Sequence, residues 1–546
     1  MHPIATIANS IWSVTNIPSY WRFREALYHP GAVQQKRLNF YLRRSMHTAF
    51  GKAHGFQDIQ SYTDFAEKVP LTDYDALLPW IDRIRQGEQC VLTNEPVTHL
   101  VPTSGTTGAR KLIPFTKGLQ REFNAAIGPW LIDLQSQAPG LLGGPAYWSI
   151  TPAIRPKQAE TSVVPIGFEA DTAYLGGIRK KLVDAVMAVG SWVQHADSIE
   201  AFRYITLLAL LRCPELRLIS IWHPSFLSLL LDGLPSQWET LLTDLEQGTC
   251  KYAEALPPEM RRACFSHPLP KHARDLRRTN PLCPREIWPK LCVISCWANG
   301  ASELAAKELG KRFPGLLLQP KGLIASEAFV TLPFGSYQPL AIHSHFFEFI
   351  DADGRILLVD TLKEGETYEV VVTTAGGLWR YRLGDRVQVS GFVGKTPSLR
   401  FLGRSGNISD RFGEKLSEAF VAQAIHECFD EHTLPRFVLL APEEDAHGCR
   451  YTIYVEGVIQ TNQVEKLEHL LRQNPHYAYC RDLGQLLSLR AFIINKNGYE
   501  LYVERLAAPG ARLGDIKPVI LSSLSGWQNV FPGAHIEALS NVDASK

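Results

Sequence analysis

The sequence predicts an α/β fold: a large N-terminal domain of several subdomains, some of them β-rich, followed by a small α+β C-terminal domain. Three observations lead there. The chain has 546 residues, more than one hydrophobic core usually supports. From Val91 onward short apolar runs punctuated by Gly and Pro alternate with helical segments, the texture of buried strands joined by crossover helices. A polar, glycine-containing stretch from Gly403 to Gly413 then separates this region from a shorter mixed one.

In chain order, Trp12 to Phe50 reads as helical, because Leu38, Leu42 and Met46 recur at intervals of four. Tyr147 to Thr151, Leu218 to Trp222, Leu291 to Ser295 and Ile356 to Val359 read as buried strands. Ile178 to Val189, Ala201 to Leu211, Leu227 to Leu231 and Ser302 to Phe313 read as the helices between them. Alternation through Tyr368, Val370 and Val372 marks strands within Gly365 to Val389. Beyond the glycine-containing linker, Ser417 to Cys428 and Val464 to Arg472 read as helices, and Phe437 to Leu440 and Tyr451 to Val455 as strands.

Composition removes several function classes. Lys plus Arg number 56 against 55 Asp plus Glu, so no long-range field gathers nucleic acid or an anionic membrane. The N-terminus carries no Lys or Arg before Arg22, unlike a secretory leader, and a cytoplasmic location is expected. The most apolar region, Ile205 to Leu234, is interrupted by Arg212, Glu215, Arg217 and Pro224, short of the ~20 apolar residues of a spanning helix. The ten cysteines form no CxxC pair, and reduced thiols are expected.

Four segments carry chemistry. Thr103-Ser104-Gly105-Thr106-Thr107-Gly108-Ala109-Arg110-Lys111 supplies what phosphates need: glycines that let backbone N–H groups approach, hydroxyl donors and a cation. Its register is not that of a Walker A loop. In Gly322-Leu323-Ile324-Ala325-Ser326-Glu327, Glu327 offers a hard-cation ligand for Mg²⁺, although Ser-Glu also begins many helices. In Trp379-Arg380-Tyr381-Arg382-Leu383-Gly384-Asp385, the Asp385 carboxylate can accept both ribose hydroxyls or close a turn with Arg382. The fourth is Phe401-Leu402-Gly403-Arg404 with Asp410 to Leu416, where Arg404 can hold ribose or phosphate oxygens and Lys415 can reach a reacting carboxylate.

Taken together and in this order, the segments resemble those of the auxin-responsive acyl acid amido synthetase (Gretchen Hagen) family, bacterial type, within the acyl-adenylate-forming superfamily. The resemblance extends through Thr48-Ala49-Phe50-Gly51, Val69-Pro70-Leu71, Asn474-Pro475-His476-Tyr477, Cys480 to Gln485 and Leu513 to Lys517. It implies an ATP- and acid-binding domain over 1–410, a hinge at 411–416 and a mobile small domain over 417–546. By position it places Thr103, Ser104, Gly105, Thr106, Thr107, Gly108 and Lys111 in the phosphate loop, and Ser326 and Glu327 in the adenine and Mg²⁺ motif. Asp385 falls in the ribose motif, with Arg404 as a further ribose ligand. Lys415 and Lys517 compete to stabilise the acyl phosphate.

Leu323 departs from the family, where many members place a tyrosine that packs on adenine; Trp297 is an alternative aromatic face. Similarity points to Tyr174, Leu175 and Trp222 for the acid pocket. The implied reaction uses ATP and Mg²⁺ to convert a small carboxylic acid into its acyl-adenylate, then joins it to an amino acid. His223 and His343 are candidates for the base that frees the amine. The rivals are a thioester-forming acyl-CoA ligase and a non-catalytic acid- or nucleotide-sensing protein.

Overall fold

The computed structural model describes residues 2–102, 111–149, 162–167, 177–258, 261, 267–404, 408–429, 434–445, 448–506 and 518–536. The chain divides into two compact units, Met1–Trp297 with Arg312–Phe401 and Ala508–Ile516, and Ala298–Lys311 with Leu402–Ala507 and Lys517–Lys546.

The strands, in chain order, are β1 (Val97–Pro102), β2 (Leu112–Thr116), β3 (Ala146–Trp148), β4 (Leu218–Ser220), β5 (Val293–Cys296), β6 (Leu317–Pro320), β7 (Phe346–Ile350), β8 (Ile356–Leu357), β9 (Thr367–Thr373), β10 (Tyr381–Val393), β11 (Thr396–Arg404), β12 (Ile408–Ser409), β13 (Leu416–Ser417), β14 (Phe437–Asp445), β15 (Gly448–Glu456), β16 (Leu486–Ile494) and β17 (Gly533–His535). In the first unit, β1 and β2 form an antiparallel ribbon whose connection is the expected phosphate loop. β3-β4-β5-β6 form a parallel sheet, and β11-β10-β9-β7-β8 a separate five-stranded sheet whose β7–β8, β7–β9 and β9–β10 pairs are antiparallel. The short parallel strands are almost continuously apolar, as strands covered on both faces must be.

Helices start where side chains satisfy their free N–H groups. Thr116 accepts from Leu119 N at 3.1 Å to open Lys117–Gln137. Asp73 accepts from Ala76 N at 2.9 Å to open Tyr74–Arg85. The helical lead-in begins at Pro3 and is broken at residues 27–29 into Pro3–Ala26 and Pro30–Ser45.

Three expectations require correction. The helix expected over Leu227 to Leu231 runs from Pro224 to Gln247 with Pro235 inside it. Leu234, Trp238, Leu241, Leu242 and Leu245 continue its buried face, and that packing outweighs the local breakers. Ile356–Leu357 is a half-buried edge strand antiparallel to β7, not a buried one. The stretch read as a linker is, where described, the end of β11, the β12–β13 pair and a hydrogen-bonded turn.

The second unit is the α+β domain. β14-β15-β16-β17 form a mixed sheet with β15 and β16 parallel. The helices Glu418–Cys428 and Thr461–Leu471 close its core through Val421, Ile425, Leu467 and Leu471.

Candidate active site

In the first unit, two segments singled out by their sequence are held in place by buried polar networks. Ser326 and Glu327 form the tip of a two-residue hairpin closed by the Ile324↔Phe329 bridge and by Ala325 N donating to Ala328 O at 2.9 Å. The strand-to-tip geometry, not a helix start, presents them. Leu323 N donates to Thr331 Oγ1 at 2.8 Å, and Phe329 N donates to His345 Nε2 at 3.0 Å. With Nε2 accepting, the His345 proton sits on Nδ1, which faces Glu122 Oε2 at 3.1 Å. Glu122 also receives Tyr41 OH and, at 3.0 Å, Ala375 N. The hairpin is thus tied to two helices and to the turn between β9 and β10 through buried groups that leave few donors unmet.

Glu327 is 8% exposed, and among the described residues no side chain hydrogen-bonds or pairs with its carboxylate. A carboxylate held at a hairpin tip and left uncommitted suits a hard cation that keeps most of its waters, so the donor set fits Mg²⁺.

Asp385 lies on β10, where the pairing with β9 slips between Arg382 and Arg386. Gly384 there has φ +73°, a bulge that re-aims the next side chain. The turn-closing alternative fails, because Arg382 pairs with Glu369 at 2.8 Å. Upstream, Arg380 is 2% exposed with φ +45°. Its Nε and Nη2 fork onto Glu348 at 2.9–3.1 Å, and Nη1 donates to Ala66 O and Val69 O at 2.8 and 2.7 Å. Thr72 then pairs with the strand by Thr72 N to Arg380 O at 2.9 Å and Arg382 N to Thr72 O at 2.8 Å. This clamp on the start of β10 is what the sequence motif encodes besides Asp385, and it explains the neighbouring Val69-Pro70-Leu71.

Lys111 opens β2 with its ammonium 5.7 Å from the Tyr74 ring centre. Thr103, Ser104, Gly105, Thr106, Thr107 and Gly108 lie outside the described residues, as do Tyr174, Leu175 and Lys517. Leu323, 8% exposed, packs in the main hydrophobic core, which gives its side chain a structural task. Arg404 ends β11 half-buried.

Lys415 belongs to the second unit. Its φ is +46°, a strained value for a non-glycine residue. The turn before it is hydrogen-bonded: the buried Glu414 carboxylate accepts Arg411 N and Phe412 N, both at 2.8 Å, and Tyr451 OH at 2.6 Å. Asn474 Nδ2 reaches Lys415 O at 3.4 Å, which gives Asn474-Pro475-His476-Tyr477 a role. The Lys415 side chain itself is exposed.

Neither histidine suits a base. His223 caps the helix Pro224–Gln247 by accepting Ser225 N at 3.2 Å, and burial pushes its pKa down to about 3. His343 is also lowered, chiefly by burial, and faces Arg22 O at 3.3 Å.

Sequence reasoning missed Lys321. It directly follows β6, is 6% exposed, and donates to Ser220 Oγ at 2.7 Å. Its ammonium lies 5.2 Å from the Trp130 ring centre and 5.3 Å from that of Trp222. Trp297 stands against Trp222 at 5.5 Å, with its N–H donating to Trp222 O at 2.8 Å. The available signal was a lysine placed between an apolar strand and a glycine. A separate groove of about 210 Å³, lined by Arg37, Arg44, Glu95, Arg121 and Glu122, sits at the base of the β1–β2 ribbon, away from the phosphate-loop end.

The fold is that of the adenylate-forming enzymes. It matches the solved structure of GH3.15 acyl acid amido synthetase over 96% of this chain and 98% of that one, at TM-score 0.80 and 18% identity. The complex of AtGH3.15 acyl acid amido synthetase with 2,4-DB matches at TM-score 0.82, again at 18% identity and over 96% and 98% of the two chains. Models of the GH3 family N-terminal, central and C-terminal domains match residues 20–318, 338–404 and 417–525, and the chain belongs to the GH3 family. Among similar proteins, indole-3-acetic acid-amido synthetase GH3.4 of Arabidopsis thaliana is 24% identical over 82% of this chain and 78% of its own. Jasmonoyl--L-amino acid synthetase JAR4 of Nicotiana attenuata is 25% identical over 68% and 69%. The protein is accordingly a ligase of the amide-forming, adenylate-forming kind.

Proposed function

We propose that this protein converts a small carboxylic acid into its acyl-adenylate with ATP and then transfers the acyl group to the amine of an amino acid, releasing AMP. The observation that carries the reading is that each of two carboxylates is fixed on its own element, Glu327 at a hairpin tip and Asp385 at a β-bulge, each anchored by its own buried network.

A free carboxylate resists an amine because it is anionic and its leaving group would be oxide. Attack of one carboxylate oxygen on the α-phosphorus forms a C–O–P linkage as the bond to pyrophosphate breaks. The amine then adds to the activated carbonyl, the bond to AMP breaks, and the amine proton is lost to solvent or a base. Asp385 holds the ribose by accepting its hydroxyl protons. Lys111 and the loop before it hold the phosphates. Glu327 would hold Mg²⁺, which supplies neutralisation of phosphate charge. Arg404 is a further ribose ligand, and residues 411–416 are the hinge on which the small domain turns. Trp222 belongs to the acid pocket.

Two measurements test this. Incubation with mixed acids, mixed amino acids, ATP and Mg²⁺ should give amide, AMP and pyrophosphate in equal amounts by mass spectrometry. A CoA thioester without amide would overturn the acceptor, and absence of acid-dependent pyrophosphate exchange across a broad acid panel would overturn the enzyme. In the second, Lys415→Ala and Lys517→Ala are assayed for adenylation and for transfer separately. The lysine that meets the acyl phosphate should lose about 10²–10³ in the adenylation rate, the usual cost of one donor to developing negative charge. Full activity in both variants would remove both assignments.

A further inference from the structure

The C-terminal edge of the parallel sheet carries a donor-rich face that the reaction does not otherwise use. Ser220, Ser295 and Gln319 are aligned across β4, β5 and β6, so their side chains share one face. Two residues on, the same face carries Trp222, Trp297 and Lys321. The chains remain paired beyond the strands, with Trp297 N donating to Trp222 O at 2.8 Å and Lys321 N to Cys296 O at 2.7 Å. Trp130 packs in from its helix and donates to Gln319 Oε1 at 2.8 Å. Such an edge, at the carboxyl ends of parallel strands, is where α/β sheets bind ligands.

Among the described residues this face holds a buried cation and no anion. Among the described residues, Lys321 spends one proton on Ser220 and meets no carboxylate. Its titratable neighbour is the Cys296 thiol, which burial pushes up to about 12 and so keeps neutral. Burial lowers the Lys321 ammonium itself to about 8. Ser295 Oγ and Gln319 Nε2 are also buried without a hydrogen-bond partner among the described residues. The indoles of Trp130 and Trp222 offset part of the cost of the charge, but a buried cation beside idle donors is the complement of an anion.

The anion is one that survives the reaction. A lysine fixed on the reacting carboxylate would stabilise that anion before attack and lose the interaction as the carboxylate becomes an uncharged acyl group, which raises the barrier. An anion that keeps its charge throughout incurs no such loss. The aromatic surround of Trp130, Trp222 and Trp297 suits an apolar or planar body next to it.

We propose that Lys321, Ser295 and Gln319 form a subsite for a second carboxylate on the acyl acid, so that the preferred substrate is a dicarboxylic acid adenylated at its other end. The proposal rests on the adenylation reading for its role, and on the sheet-edge geometry for its existence.

Matched acids test it in the full-length protein. Pyrophosphate exchange should run at least tenfold faster, by kcat/KM, on benzene-1,4-dicarboxylate or an α,ω-alkanedioate than on benzoate or the matching monocarboxylate. In Lys321→Met that ratio should fall at least tenfold, and Lys321→Gln should retain part of it. Equal rates on both acid classes in the natural protein, or an unchanged ratio in Lys321→Met, overturns the proposal. So does a loss confined to discrimination between an amino acid and its decarboxylated amine, which would assign the subsite to the acceptor. Equilibrium dialysis of the labelled dicarboxylates without ATP separates this from the adenylation reading. Binding that Lys321→Met abolishes supports the subsite even if exchange is absent, and equal binding by both proteins overturns it.

Discussion

Glu348→Ala is expected to destabilise the larger unit by about 3–5 kcal/mol, the usual cost of stranding one member of a buried ion pair. Glu348 and Arg380 are 1% and 2% exposed, and Tyr62 OH adds a hydrogen bond to Glu348 at 2.8 Å. Without the carboxylate, the guanidinium stays buried against Ala66 O, Val69 O and the Phe65 ring, none of which carries a charge. Arg380 also occupies a left-handed conformation at φ +45°, which costs about 1–3 kcal/mol unless the surroundings enforce it. Removing its partner weakens that enforcement. The double variant Glu348→Met/Arg380→Met should lose less than Glu348→Ala, because no charge is then left unpaired. Urea denaturation followed by tryptophan fluorescence reads both, and a cost below about 1 kcal/mol for Glu348→Ala would show that the pair does not anchor β10.

Asp385→Ala should lower kcat/KM for ATP by about 10- to 100-fold with every acid tested, as expected for losing a charged hydrogen-bond acceptor worth about 1.5–3 kcal/mol. The effect should appear mainly in KM for ATP, since ribose hydroxyls change little between substrate and transition state. Asp385→Asn, which keeps the shape and one acceptor, should fall between the two. Asp385 is buried within β10, so circular dichroism and thermal unfolding must first show a folded variant. A folded Asp385→Ala with unchanged ATP kinetics would remove the ribose assignment.

These two residues sit five positions apart on one strand, yet their tasks differ: Arg380 fixes where the strand begins, and the Gly384 bulge fixes where Asp385 points. The motif was legible as a whole. The division of labour was not, because Glu348, Ala66 and Val69 lie far from it in sequence and meet it only on folding. The same holds for the Ser326–Glu327 hairpin. Its dipeptide was readable, whereas its support by His345, Glu122, Tyr41 and Ala375 includes a hydrogen bond between residues 253 positions apart, Glu122 and Ala375. The helix after His223 was read too short because Gly233 and Pro235 signal a break locally, and only the buried leucines beyond them show why it continues.

The sequence by itself determined the fold class, the strand runs at Leu218, Leu291 and Phe437, and the order of the four motif-bearing segments, because these depend on local periodicity and short motifs. Tertiary structure alone decided which charges are buried and what they meet. Little in the linear sequence sets Lys321 apart; folding places it beside Ser220, Ser295 and two indoles. Lys415 reads as a mobile linker charge until Glu414 and Tyr451 fix the turn beneath it. The physical reason is common to both: the energy of a charge depends on its surroundings, and in this protein those surroundings come from distant parts of the chain.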